Sequence, residues 1–426
     1  MSPAILSLTA LVIAIVVSMF AGVNVGFLSM ALAVIVGFLG SGMHAEQVAK
    51  NFPADLFIIL VGVSYLFSLA QVNGTLDRVT KVGLKMVKGN GAVLPFVFFA
   101  LATVLSAIGP GAIPAIALLA APAAAVAAEA RIPYFLMGVC VMHGAISGTM
   151  SPIAPMGIVA SKIVQPLVGD ISVRLFLNTA AANIVIAVLA YFAFGGLKLI
   201  ARFKEHPITL ADVDEAKWET KQIVTLVGIA VLVIAAVGFK MHIGFTAITI
   251  AVCIAWLSKE DDIKAIKSIH WGTLIMVSGV MVLVGLMRTS GGLELIGKAV
   301  ASFTNPWTAP AVLAFVAGII SIYSSTTGVV MPAFLPMVSS VLNAVGGGNL
   351  VGSISLMVLS GNVVDASPLS TLGALILASA PPAEDREKLF KNLMLWALPW
   401  RLSELQSAGY CISYWDYSLN SSLTLH

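Results

Sequence analysis

The sequence predicts an all-α polytopic membrane protein built as two inverted repeats, and three observations predict it. The 426 residues are 59% hydrophobic and only 10% charged, with mean hydropathy +1.01. A soluble domain carries roughly 25% charged residues, so this chain has too little polar surface to face water. Two polar stretches interrupt its apolar runs: SGTMSPIAPMG at Ser147–Gly157 and SGNVVDASPLSTLG at Ser360–Gly373, each with Ser-Pro followed five residues later by Gly. Irregular chain inside a bilayer is tolerated only where it lines a protein-enclosed cavity, because every backbone polar group needs a partner. The landmarks around these stretches recur in the same order in both halves.

Apolar runs of about 20 residues cross a bilayer and predict helices over 4–20, 25–39 and 56–72, then an amphipathic piece over 75–88. No positively charged region precedes the first run and a second run follows at once, so a first transmembrane helix fits better than a cleaved signal. Arms at 92–107 and 112–128 meet at Ile108-Gly109-Pro110-Gly111, a helix-breaking density of Gly and Pro, and form a re-entrant hairpin over about 92–128. A broken helix follows over about 132–165, then a span over 174–199, which closes the first repeat, 1–199. The linker 200–221, with its charged run ADVDEAKWETK, is expected to be cytoplasmic and solvated. The second repeat, 222–398, has its hairpin over about 308–345 and its broken helix over about 349–380. The tail 399–426 is polar and aperiodic; about 12 apolar residues do not span a bilayer, so the final helix is expected to be incomplete.

The repeat is carried by matched landmarks. Gly26-Phe27 falls on Gly244-Phe245 and Gly62 on Gly279. Gly74, Leu76, Asp77 and Lys81 fall on Gly291, Leu293, Glu294 and Lys298, and Ser106 and Pro114 on Ser324 and Pro332 with a one-residue slip. Five spans and a hairpin per half make an odd number of crossings, which inverts the second copy in the membrane. That is the layout of secondary transporters, whose site lies at the midplane where discontinuous helices meet. With the N-terminus outside, sixteen Lys and Arg fall on the inner side and six on the outer, the bias that the positive-inside rule requires.

Other classes find little support. The formal charge of +3 comes without a basic patch interleaved with aromatics, which argues against nucleic acid. Cys140, Cys253 and Cys411 form no disulfide framework and no metal-ligand spacing. An intramembrane enzyme needs a clustered catalytic set, and none is visible; no cofactor is expected.

The order of spans, hairpin tips and broken helices resembles the ion-transporter superfamily, especially the divalent anion–sodium symporters. GPGAIPAIALLAAP at Gly109–Pro122 and GAISGTMSPIAPMGIVA at Gly144–Ala160 are similar to the malonate/dicarboxylate carrier (MatC-like) group, the likeness being closest over about 1–165. The resemblance implies an elevator-type carrier with a scaffold and a moving transport domain, a homodimer in the cytoplasmic (inner) membrane, a small anionic substrate such as malonate or a C4 dicarboxylate, and sodium or protons as coupling ion. The family's hairpin tips carry Ser-Asn-Thr. Here the second tip, Ser324-Ser325-Thr326-Thr327-Gly328, keeps Ser and Thr but not Asn. The first, Ser106 to Gly111, has neither Asn nor Thr, which leaves the backbone groups that Gly makes approachable.

A dicarboxylate brings two charges that are costly to bury unless compensated. No Lys or Arg lies in either tip or either break. Half-helix N-termini and hydroxyls must therefore receive the anion, with bound cations held by freed carbonyls. The candidate substrate contacts are Ser106, Gly109, Gly111, Ser151, Ser324, Ser325, Thr326, Thr327, Ser367, Ser370 and Thr371; the candidate cation contacts, with sodium in view, are Ser147, Thr149, Asn362 and Asp365. Asp365 is the one acid placed in the membrane core, where acids are functional by default. It either binds the coupling ion or a proton, or caps the helix resuming at Pro368; its counterpart by spacing is Thr149. His143 reads as a hydrogen-bonded core residue, Glu129 and Arg131 as a turn with a local ion pair, and Asp261-Asp262 as a solvated loop. The alternative on the same scaffold is a cation/proton antiporter, which wants paired core acids, or an inorganic oxyanion transporter.

Overall fold

The structure, a computed structural model, describes residues 2–79, 91–205, 218–237, 239, 241–257, 259–323, 326–368, 370–381 and 383–397. The tail 399–426, tip residues Ser324 and Ser325, and much of the amphipathic piece and of the charged linker lie outside the described residues. All regular structure among the described residues is helical. The first half contains α1 (Pro3–Ala21), α2 (Val25–Ser41), α3 (Ala45–Ala49), α4 (Ala54–Val72), α5 (Leu94–Ala107), α6 (Ala112–Glu129), α7 (Tyr134–Gly148), α8 (Pro155–Val168), α9 (Ser172–Ala193) and α10 (Gly196–Glu205). The second contains α11 (Thr220–Val237), α12 (Ile243–Ala255), α13 (Lys259–Ser268), α14 (Trp271–Ser290), α15 (Gly292–Ala301), α16 (Ala309–Tyr323), a π turn at Thr326–Val330, α17 (Met331–Ala344), α18 (Leu350–Val364), α19 (Thr371–Ala378) and α20 (Arg386–Ala397).

Local sequence explains the boundaries. Ser2 accepts from the Ile5 N–H and Pro3 opens α1, whereas Gly22 ends it in the left-handed region. Ala54–Val72, Ala112–Glu129, Ser172–Ala193, Trp271–Ser290 and Thr326–Ala344 are long and apolar enough to cross a membrane. Large apolar side chains also point outward, Phe20 and Trp256 each 86% exposed. Such a girdle calls for hydrocarbon as solvent, and the chain is an integral, multi-pass membrane protein.

Several expectations need correction. The run 174–199 is two helices: α9 ends at Phe194, Gly195 takes φ +102°, and α10 starts at Gly196. The expected border between first repeat and linker, 199/200, thus falls inside a helix. Asp261 and Asp262 lie on α13 rather than in a loop; Asp261 is 3.5 Å from Lys221, and the Tyr65 hydroxyl donates to Asp262. The turn at Arg131 (φ +49°) is held by Arg202, whose guanidinium donates to the Ala130 and Arg131 carbonyls, the latter at 3.0 Å.

Packing between the halves is reciprocal. Helix α4 lies on α12, and α2 on α14. At the first crossing a Cβ added to Gly62 would sit 2.3 Å from the Gly244 carbonyl oxygen; at the second, one added to Gly279 would sit 2.1 Å from that of Gly26. Bilayers provide no hydrophobic drive between helices, so such close approach of small residues is what holds them. The same exchange recurs deeper in the fold, where α8 packs on α17 and α19 on α6, while α5 lies on α7 as α16 lies on α18. These contacts bring both hairpin tips and both helix breaks to the middle of the molecule.

Candidate functional site

The Ser-Pro…Gly echo has a structural cause. In the first break the chain leaves α7 at Thr149 and re-enters a helix at Pro155; in the second it leaves α18 at Asp365 and re-enters at Thr371. A Cβ on Gly157 would lie 2.1 Å from the Ser151 carbonyl oxygen, and one on Gly373 would lie 2.3 Å from that of Ser367. Each Gly lets the resuming helix back directly onto the preceding turn. Thr149 and Asp365 occupy the same position in their breaks, the C-cap.

Both tips and both breaks line one cavity of about 510 Å³, within the ~300–1,000 Å³ usual for small-molecule sites. Gly111 comes from the first tip and Thr149 from the first break; Thr326 and Thr327 come from the second tip, and Asn362, Asp365, Ser370 and Thr371 from the second break. Helix α4 adds Leu60 and Ser64, and α14 adds Thr273, Leu274 and Val277, with His270 at its N-cap. No Lys or Arg lines it among the described residues.

Other expected contacts fall elsewhere. Ser367 donates to the Met394 sulfur at 3.6 Å, and the Ser151 hydroxyl faces its own turn, accepting from the Ile153 N–H at 3.5 Å. Neither lines the cavity, because the turn that shapes the Ser-Pro motif aims these side chains away from it. Ser106 and Ser147 are fully buried with hydroxyls that find no partner, and Gly109 (φ +139°) presses against the Phe67 ring. Ser324 and Ser325 lie outside the described residues. Ser64, His270 and Thr273 escaped the sequence reading because they belong to unbroken helices with no local mark of a site.

Three helix N-termini open on the cavity: α6 after Gly111, α8 after Ala154 and α19 after Ser370, none with a side-chain cap. Helices α1, α2, α12 and α18, by contrast, are capped by Ser2, Asn24, His242 and Asn349. The uncapped first turns keep N–H donors and about half a positive charge each for an anion. Asn362, 1% exposed, also lines the cavity with neither amide nitrogen nor oxygen paired. An orphaned buried amide costs about 1–3 kcal/mol unless a ligand satisfies it.

Around Asp365 the oxygens outnumber the protons. Its Oδ1 accepts from Ser321 Oγ at 3.1 Å and from Ser370 Oγ at 3.2 Å, and its Oδ2 from Thr326 Oγ1 at 3.0 Å. Ser321 and Thr326 also lie 3.2 and 3.1 Å from the Gly361 carbonyl and in contact with each other. Three hydroxyl protons thus serve six close oxygen pairs, since each hydroxyl donates once. A bound cation or an added proton would satisfy the remainder. Asp365 caps the end of α18 rather than the start of α19, whose N-cap is Ser370. Ser321 was not foreseen; it sits one turn before the tip. His143 is the core residue expected: Trp396 Nε1 donates to its Nε2 at 2.9 Å, so its Nδ1 carries the proton toward Asn183 Oδ1 at 2.8 Å.

Residues 1–149 match the family described as dicarboxylate carrier protein MatC N-terminus. No curated protein matches the chain. Among solved structures, the YdaH transporter of Alcanivorax borkumensis, described as having an unusual topology, is similar at 15% identity with TM-score 0.56, over 92% of this chain and 96% of that one. MtrF of Neisseria gonorrhoeae, described as illuminating a class of antimetabolite efflux pumps, is similar at 14% identity with TM-score 0.54, over 89% of this chain and 84% of that one. At these identities the likeness is one of fold. The matched family and both folds are those of transporters, not of enzymes.

Proposed function

We propose that the chain is a secondary active transporter that carries a small dicarboxylate, of malonate or C4 type, across the cytoplasmic membrane. The observation that carries this reading is the cavity itself: three uncapped helix N-termini, an orphaned Asn362 and a set of hydroxyls, with no Lys or Arg among the described lining residues. Such a site receives carboxylates through N–H and O–H donors and leaves net charge to be balanced by a co-transported cation. The MatC-type match over residues 1–149 supports the dicarboxylate as substrate class.

The oxygen nest of Ser321, Thr326, Gly361 and Asp365 supports sodium or a proton as coupling ion, with Asn362 beside it in the cavity lining. The orphaned hydroxyls of Ser106 and Ser147 and the Thr149 C-cap mark the corresponding region of the first half. The reciprocal contacts α4–α12 and α2–α14 support a pair of inverted repeats. With α4 and α14 as walls and tips and breaks as the substrate cradle, alternating access follows an elevator movement of the cradle past the walls, in a homodimer. Asp365 is the single acid lining the cavity among the described residues, which disfavours the paired-acid chemistry of a cation/proton antiporter.

The test is uptake of labelled malonate and succinate by proteoliposomes under imposed sodium or proton gradients. Uptake should follow one of the two gradients. Absence of diacid uptake, or uptake unchanged when both gradients are collapsed, would overturn the reading.

A further inference from the structure

We propose that His270, with Thr273 one turn along α14, receives the second carboxylate of the substrate and thereby selects dicarboxylates over monocarboxylates. This rests on the transport reading above and adds to it a specificity residue. His270 is the one side chain lining the cavity, among the described residues, that can carry a positive charge. It occupies the N-cap position of α14 yet makes no side-chain capping bond there, so its ring nitrogens are not used by the helix it begins. Thr273 lies one turn further on the same face and also lines the cavity, as residues three apart on a helix do. The first turn of this 20-residue helix adds the positive end of its dipole.

The second, independent observation is on another wall. Asn362 is buried, lines the same cavity and has both side-chain polar atoms unpaired. It belongs to the helix break, whereas His270 and Thr273 belong to an unbroken helix. The cavity therefore has two polar poles on separate elements, with apolar Leu274 and Val277 beside one of them. A diacid offers a carboxylate to each pole and its methylenes to the apolar wall. A monoacid fills one pole only and leaves the other unsatisfied, the asymmetry on which hydrogen-bonding sites discriminate most strongly.

The experiment is ligand-dependent thermal stabilisation of the purified full chain in detergent at fixed sodium, titrated with malonate, succinate and propionate. Wild type should be stabilised by the two diacids at far lower concentration than by propionate. His270→Gln should weaken diacid binding about tenfold, the scale of one lost charge-assisted hydrogen bond, and leave propionate unchanged. His270→Lys should restore diacid preference, and Thr273→Val should weaken it more mildly. The unliganded melting temperature of each variant checks folding, and the lysine variant decides the matter if the glutamine one is unstable. Wild-type diacid affinity in His270→Gln, or equal losses for diacids and propionate, would overturn this proposal alone. A wild-type protein stabilised by neither diacid would overturn both it and the transport reading.

Discussion

Gly62 and Gly244 meet backbone to backbone, and a methyl group on Gly62 would lie 2.3 Å from the Gly244 carbonyl oxygen. Gly279 repeats the contact on Gly26 at 2.1 Å, so the same glycine pairing joins the halves twice with the roles exchanged. Gly62→Leu and Gly279→Leu are each expected to lower stability in detergent by about 1–3 kcal/mol, the scale of overpacking. Gly272→Ala, whose Cβ would meet only the Asn24 amide at 3.7 Å, should leave the melting temperature in place. Equal melting of all three variants would show that the close approach does not hold these helices.

Asp365 is held by Ser321, Thr326 and Ser370, three hydroxyls for a nest with six close oxygen pairs. Asp365→Asn should reduce uptake at least about tenfold and abolish its dependence on the coupling ion, since the carboxylate charge is what a desolvated cation needs. Thr326→Ser, which keeps the oxygen, should retain ion dependence where Thr326→Val loses it. Proteoliposome uptake across a series of sodium concentrations and pH values reads both. An Asp365→Asn protein with unaltered ion dependence would remove the nest from the coupling mechanism.

Asp55 at the start of α4 reaches Lys162 on α8 at 2.7 Å and His242 at the start of α12 at 2.6 Å. These groups are partly exposed, so the pair is worth about 0–1 kcal/mol; Lys162→Met should barely move the melting temperature. The elevator reading, however, requires α8 to slide past α4. Asp55→Cys combined with Lys162→Cys, bridged by a short bifunctional reagent, should stop uptake. Continued uptake by fully bridged protein would speak against that movement.

Trp396 donates to His143 Nε2, and His143 in turn to Asn183, which donates to the Thr179 carbonyl at 2.8 Å. This chain ties α20 to α7 and α9. Trp396→Phe keeps most of the ring but leaves a buried imidazole nitrogen without a donor, which should cost about 1–3 kcal/mol. Thermal unfolding should register the loss, and His143→Leu in the same background should recover part of it, because both partners are then apolar.

Much of this protein was legible in its residues. Composition settled the solvent, since 10% charge leaves no choice but a bilayer. Gly and Pro within apolar runs located the tips and breaks, and the Ser-Pro…Gly echo marked two turns that share one backbone requirement at Gly157 and Gly373. The pairing of Thr149 with Asp365 was also readable from spacing, because equal helix lengths before each break put both at the C-cap. Hydroxyl direction was not readable: around a break the helical phase is lost, so Ser367 turns to Met394 while Ser370, three residues on, turns to Asp365. Nor was the contribution of Ser64, His270 and Thr273, which sit on continuous helices that become cavity walls only when the halves pack. Local sequence determines where a chain must break, because backbone hydrogen bonding is a local obligation. Which side chains then share a cavity is decided by contacts among residues far apart in the chain, and only the tertiary structure holds them.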